Sequence, residues 1–574
     1  FSASDPTNGA ELWTSDGTSN GTVLVRNIRS GATGSSPDYL FCFSNALFFS
    51  ADDGVNGREL WTSDGTSNGT VLVRNIWAGN NSALATDPLF TPVTTTLFFT
   101  AQNNASGNYE LWKTDGTSNG TALVRDIYPG NTGSYPTYLT AMGNRLYFQA
   151  RDASRGYELW TSDGTSAGTV IVRDIQTNAG SSSSPYYLTD AGGILLFSAD
   201  DGTVGRELWK SDGTSNGTAL VRDIAVSSGN SSPANVVGVG SAVFFTADDG
   251  ASGAELWKSD GLPGGTVLVR DIRNGAQGSS PQYLTAVTGL VFFAATDGTS
   301  GIELWSSDGS SNGTVLVKDI NPAGGSSSPQ YLAAASGLVF FAANDVTSGT
   351  ELWKSDGSSN GTMQVKDIAS GFISSWPQNI TPLANRILFS ANDMVHGNEL
   401  WVSDGTPSGT ALLRDIWPGP SSGSPQYLRA YAELVFFVAS DGAGSDLWVS
   451  DGTSNGTARL RDIWPGSPVC SPSGLFLADA IIAFALNDGV HGIEPWLLHA
   501  SLIRRILTTA AGGGSVVPSG TALAPQHGDQ ACLAQAFQYF HITNVLVDGV
   551  PAGPFGPGSN TFAYTFTNVV ADHA

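Results

Sequence analysis

The sequence is poor in charge and poorer still in positive charge. Charged residues make up 13% of its 574 positions, about half of the ~25% usual in soluble proteins. Against 50 Asp and Glu stand 26 Lys and Arg, a net charge of −24. That balance argues against a nucleic-acid partner, which needs a basic face. No apolar run reaches the ~18 residues of a membrane-spanning helix, so no membrane insertion is expected in this segment. Cysteine is scarce: only Cys42, Cys470 and Cys532 occur, which excludes a disulfide scaffold and any zinc-type Cys spacing. Neither a nucleophile elbow, a Ser/His/Asp arrangement nor a phosphate loop is found, and the chain reads as not an enzyme. What the sequence does have is glycine (70) and aromatic residues (10%, with 15 Trp). That aromatic content can bury a core, so disorder is not expected.

A period near 48 residues organises residues 1–507. Its marker is the Trp of Glu-Leu-Trp, at 13, 61, 112, 160, 209, 257, 305, 353 and 401, with degenerate copies at Trp448 and Trp496. Successive spacings run from 47 to 51 residues, giving eleven units. Each unit reads as four short strands. In one unit these are Pro281–Val287, Leu290–Ala295, Glu303–Ser307 and Thr314–Ile320, separated by Gly, Asp-Gly and Asn-Gly turns. Aromatic and β-branched runs between such turns are a hairpin signature. Four antiparallel strands per 40–50 residues is the arithmetic of a propeller blade. The expected fold is all-β: a large β-propeller of about 10–11 blades, with an open β array or two propellers as alternatives. Ten units are expected to hold four strands and the first only three. The sequence opens inside a repeat and its last module stops short of a final strand, so both ends read as cut from a longer protein.

Ten of the eleven Glu stand two residues before the marker Trp, and ten cations occupy one fourth-strand position, from Arg26 and Arg74 to Arg414 and Arg461. If the third and fourth strands pair across the Asp-Gly turn, Trp13 faces Leu24 and Glu11 faces Arg26. Cross-strand neighbours on one face lie about 5 Å apart, so repeated ion pairs are expected. A ring of catalytic carboxylates is disfavoured, because every unit carries the motif alike. The turn Ser-Asp-Gly-Thr-Ser-Asn-Gly-Thr reads first as an Asx-capped turn. No cofactor is expected; calcium is a second reading of the acidic loops, although they lack an EF-hand or nonapeptide pattern. The same turns create N-glycosylation acceptors at Asn20, Asn68, Asn119, Asn216, Asn312, Asn360 and Asn455, and others lie at Asn80, Asn104, Asn230 and Asn379.

The marker Trp residues read as core between units. Trp77, Tyr128, Trp417 and Trp464 follow the fourth strand and are candidates for ligand or partner contact. Cys470 and Cys532 are a candidate disulfide, and Cys42 reads as a buried free thiol. His396 and His491 precede Gly in equivalent loops, which is repeat homology rather than a metal pair.

The segments Glu207-Leu-Trp-Lys-Ser-Asp-Gly-Thr214 and Gly217-Thr-Ala-Leu-Val-Arg-Asp-Ile224 resemble the ELWxxDGT repeat family. That resemblance covers residues 1–507 and implies a propeller-like architecture in a large secreted or surface protein. It carries no assigned catalytic residues. Residues 508–574 form a second module, with the pattern Leu507–Gly520, His541–Val550 and Tyr564–His573. It is similar to the small immunoglobulin-like β repeat of internalin-B-type bacterial surface proteins, which implies a spacer. The Ala/Gly/Ser content, scarce Lys and many acceptor sites are similar to those of green-algal surface glycoproteins, including the shaft proteins of flagellar hairs (mastigonemes). The expected role is therefore structural: an extracellular surface or filament component whose partners are copies of itself or matrix proteins. The alternative is a carbohydrate-binding adhesin that contacts glycans through exposed loop aromatics.

Overall fold

A computed structural model describes residues 1–460, apart from 15–21, 85–86, 105–106 and 227–228, and beyond 460 a set of strands between 473 and 566. Among the described residues every regular element is a strand, and no helix is long and apolar enough to cross a membrane. The chain is all-β, built of successive antiparallel sheets of the propeller-blade type. Nine sheets have four strands each, in sequence order across the sheet.

The chain divides into two compact units, Phe1–Ser326 and Ser327–Ala574. The first holds the blades of Trp13 to Trp305. The Trp13 sheet has three strands, Ser2–Asp5, Gly9–Thr14 and Val23–Arg26, and the other six have four. The second unit holds four-stranded blades for Trp353, Trp401 and Trp448 and a three-stranded sheet for Trp496. The expectation of four strands in that last blade is corrected to three among the described residues. The next described strand, Ile503–Thr508, pairs with Gly520–Pro525. Of the module expected at 508–574, only short strand backbones fall within the described residues.

One blade explains the sequence pattern. Its strands are Gln282–Val287, Leu290–Thr296, Ile302–Ser307 and Val315–Lys318. Phe293 pairs with Trp305, and Trp305 in turn pairs with Leu316. The second strand is apolar without alternation because both of its faces are covered. In the Trp112 blade, Phe99 lies in the cluster shared with the preceding blade and Phe98 in the cluster shared with the following one. The latter cluster joins Phe98, Leu111, Val124 and Ile127 to Leu146, Phe148, Ala150 and Trp160 of the next blade. The same positions recur in the Trp209 blade and, in the second unit, in the Trp401 blade. Burying each such large side chain contributes about 1.5–3 kcal/mol. The marker Trp residues are interblade core, as their position suggests, with Trp209 only 4% exposed.

Candidate functional site

The motif residues build an internal frame, and the frame differs from the sequence expectation. Trp13 does pair with Leu24, but a bulge between Leu12 and Trp13 then sets Leu12 opposite Arg26. Glu11 and Arg26 therefore do not meet, and the expected ion pair is corrected. The bulge shifts the register by a residue, and the same shift recurs in the other described blades down to Trp401.

The motif glutamates from Glu11 to Glu399 instead organise the linker to the next blade. Glu207 is fully buried. Its Oε2 accepts from the backbone N–H of Ile224 at 2.9 Å and from Ser231 Oγ at 2.6 Å. Its Oε1 accepts from the N–H of Ala225 at 3.1 Å and of Ser231 at 3.2 Å. The carbonyl of Ser231 then accepts from Asp248 N–H in the following blade, at 2.9 Å. One carboxylate thus ties its own third strand to the linker, and the linker to the next blade. Burial pushes these carboxyls up, against the pull of their donors: Glu59 to about 8, and Glu110, Glu255, Glu351 and Glu399 to about 7.

The cation serves the neighbouring blade. Arg222 Nη1 donates to the carbonyl of Thr266 at 2.7 Å, and its guanidinium lies 5.8 Å from the Trp257 ring centroid. Arg125 and Arg270 reach Thr169 and Thr314 and lie over Trp160 and Trp305 in the same way. Lys366 repeats the contact on Thr410 and Trp401. Arg461 lies outside the described residues.

The Asp-Gly turn is consumed by its own hydrogen bonds. Asp212 Oδ1 accepts from Thr214 N–H and Oγ1, and Thr218 Oγ1 donates to the carbonyl of Thr214. A Cβ on Gly217 would collide with the Asp212 carboxylate, so the turn needs glycine there. Hence the Gly-Thr of the Asn-Gly-Thr acceptors in the described turns is dictated by the turn, while Asn68, Asn119, Asn216, Asn312 and Asn360 face outward. Asn68, Asn80, Asn104, Asn119, Asn216, Asn230, Asn312 and Asn360 are exposed, Asn379 and Asn455 are half-buried, and Asn20 lies outside the described residues. In the other acidic loop, Asp53 accepts from Val55, Asn56 and the Asn56 amide. Among the described residues, no three His, Cys, Asp or Glu side chains come together as a metal site would require. His396 Nδ1 rests on Asp393 Oδ2 at 2.6 Å.

Of the contact candidates, Trp77 and Tyr128 are half-buried, Trp417 is 36% exposed, and Trp464 lies outside the described residues. The structure describes neither Cys470 nor the Cys532 side chain, so their expected disulfide lies outside it as well. The expectation of a buried Cys42 is corrected. It is exposed, because alternate residues of the first strand Asp38–Phe43 point outward.

That first strand, which sequence reading left without a role, carries the most distinctive surface. Tyr39, Tyr138, Tyr187, Tyr283, Tyr331 and Tyr427 share one position and all have φ between 53° and 58°. Five are exposed, from 42% for Tyr427 to 62% for Tyr187. In the Trp112 blade the position is held by Leu89, φ 54°. There a cleft of about 670 Å³ opens, lined by Tyr39, Phe41, Asp87, Phe90, Thr137 and Tyr138 among others.

No family model matches the chain, and no curated protein matches it. Solved structures match at low similarity. Puromycin hydrolase, in a complex with PGG, is 14% identical with a TM-score of 0.27, over 70% of this chain and 59% of that one. A glycoside-hydrolase-74 enzyme from Niastella koreensis is 14% identical with a TM-score of 0.25, over 90% of this chain and 76% of that one. A prolyl endopeptidase is 9% identical with a TM-score of 0.30, over 70% of this chain and 54% of that one. The neighbours are hydrolases, and the expectation that this chain is not an enzyme is withdrawn on that finding. At TM-scores of 0.25–0.30 the likeness assigns no particular activity to this chain.

Proposed function

We infer that the chain is a structural component of an extracellular surface layer or filament, assembling through contacts with copies of itself or with matrix proteins. The observation that carries this reading is the uniformity of the frame. The buried Glu node and the cation clasp recur from blade to blade, each fastening a blade to the next. Such repetition suits a stiff modular body that presents similar surfaces many times over. Exposed acceptor asparagines on the turns suit a secreted glycoprotein, and the flagellar hairs of algae are the kind of filament its composition resembles. The test is assembly. Sedimentation velocity from 1 to 100 μM, with electron microscopy of the same samples, is expected to show concentration-dependent oligomers or filaments. A monomer throughout that range overturns self-assembly. Expression in a eukaryotic secretory pathway is expected to give a product whose mobility shifts on enzymatic removal of N-glycans.

A further inference from the structure

We propose that the cleft between Tyr39 and Tyr138 is a binding site for a neutral, hydroxyl-rich saccharide. The first observation is the row of tyrosines. Backbone at φ > 0 costs a bulky residue about 1–3 kcal/mol, and Asn tolerates it far better. Asn does stand there in two blades, Asn235 (φ 55°) and Asn379 (φ 54°). Six blades carry Tyr instead, and five of those rings are exposed, so burial does not offset the strain. The position is held for what the ring presents to solvent.

The second observation is the one blade, among those from Trp61 to Trp448, where neither Tyr nor Asn holds this position. Leu89 replaces Tyr, and the Asp87-Pro88 step sets a carboxylate beside it. The flanking rings of Tyr39 and Tyr138 become walls, and Phe41 packs on Phe90 at 5.8 Å between centroids. Asp87 is exposed, and its Oδ1 accepts from Leu89 N–H at 2.9 Å. Thr91 and Thr137 add hydroxyls at the rim. Ring faces for C–H stacking together with carboxylate and hydroxyl acceptors are the chemistry that holds a pyranose.

Charge selects the occupant. In a chain of net charge −24, the cleft lining holds one carboxylate and no cation. The first strands of the same compact unit are otherwise Tyr, Thr, Gln, Asn and small or apolar residues, with Asp38 and Asp190 their only charges. Such a surface does not attract anions. Its low charge matches a neutral glycan better than a polycation, whose binding would depend on clustered acids.

The site differs from the loop aromatics Trp77, Tyr128 and Trp417, and its test is independent of assembly. The whole chain is titrated calorimetrically with cellohexaose, xylohexaose, mannohexaose and chitohexaose, and with spermine and hexalysine as cationic probes. At least one neutral hexasaccharide is expected to bind with a millimolar or lower Kd that changes less than two-fold between 50 and 500 mM NaCl. Asp87→Ala and Tyr138→Ala are each expected to weaken it at least ten-fold. Leu89→Tyr introduces the residue that six other blades carry at the same backbone conformation and fills the cleft, so it is expected to abolish binding without lowering the melting temperature. Leu262→Ser, on a distant exposed turn, is the control and leaves binding unchanged. The proposal is overturned if no saccharide binds, if only the cationic probes bind, or if saccharide binding survives Leu89→Tyr in a folded protein.

Discussion

At the residue scale, the buried glutamate is the least replaceable side chain of the repeat. Its four donors are three backbone N–H groups and one serine hydroxyl. A carboxylate accepts from all four. A protonated carboxyl also fits, because its O–H donates to Ser231 Oγ while both oxygens go on accepting. An amide does neither, since its NH2 confronts at least one backbone N–H. Glu207→Gln is therefore expected to destabilise the chain by about 2–3 kcal/mol at pH 5, the cost of leaving buried donors without acceptors, and by less at pH 8, where the native carboxyl has lost the stabilisation of its tightly held proton. Chemical denaturation followed by tryptophan fluorescence reads it. A loss below 0.5 kcal/mol at pH 5 would show that the node is not a fixed acceptor. Asp446, which takes the Glu position in the Trp448 blade, is likewise buried. It lies 3.4 Å from Arg459.

At the scale of the element, strand order and the Trp–Leu pairing were legible, because period-2 patterning and Asp-Gly turns specify them directly. The bulge was not legible. It inserts a residue without a turn signal, and with it went the expected Glu–Arg pair. The true partners of both residues lie outside the hairpin. The cation reaches a threonine carbonyl 44 residues on, and the carboxylate holds a serine 24 residues on. Reasoning confined to one hairpin misses both. A signal was present, because Ser35, Ser134, Ser183, Ser231, Ser279 and Ser375 all recur two residues before a proline. The cleft was hidden for another reason: it arises where Leu89 departs from the repeat, and a search for shared motifs discards departures. The clasp makes its own prediction. Arg222→Ala removes a charge-assisted hydrogen bond and a cation–π contact at a partly solvated site, so about 1–2 kcal/mol is expected to be lost. Arg222→Lys is expected to lose less than half of that, since Lys366 makes the same contacts. Faster hydrogen exchange is expected along Ala254–Ser259 and Ala219–Arg222. Equal losses for Ala and Lys would remove the clasp from the account.

At the scale of the whole molecule, the repetition of one carboxylate environment becomes a property of the entire chain. Burial raises the carboxyls of Glu158 and Glu207, and pushes Glu59 to about 8 and Glu110, Glu255, Glu351 and Glu399 to about 7, from an ordinary value of 4.5. A group raised on folding binds its proton more tightly in the native state. Its contribution is complete below pH 4.5 and is lost as pH climbs through 7–8. The turn aspartates act in the opposite sense. Thr66 and its equivalents donate side-chain and backbone hydrogen bonds that hold Asp64, Asp115, Asp163 and Asp212 below their ordinary 3.8. Their contribution is present above that value and fades as pH falls beneath it. Self-repulsion among the excess acids, net −24 at pH 7, also grows as pH rises. The melting temperature is therefore expected to peak between about pH 4 and 5 and to decline steadily toward pH 9. Salt separates the two alkaline terms. At 0.5 M NaCl the Debye length is only about 4 Å, so surface repulsion is screened while buried carboxyls are not. The decline is expected to become shallower but to persist. A melting temperature that stays level or rises from pH 5 to 9 in high salt would mean that the carboxyls are ionised throughout, with their four donors outweighing the cost of burial.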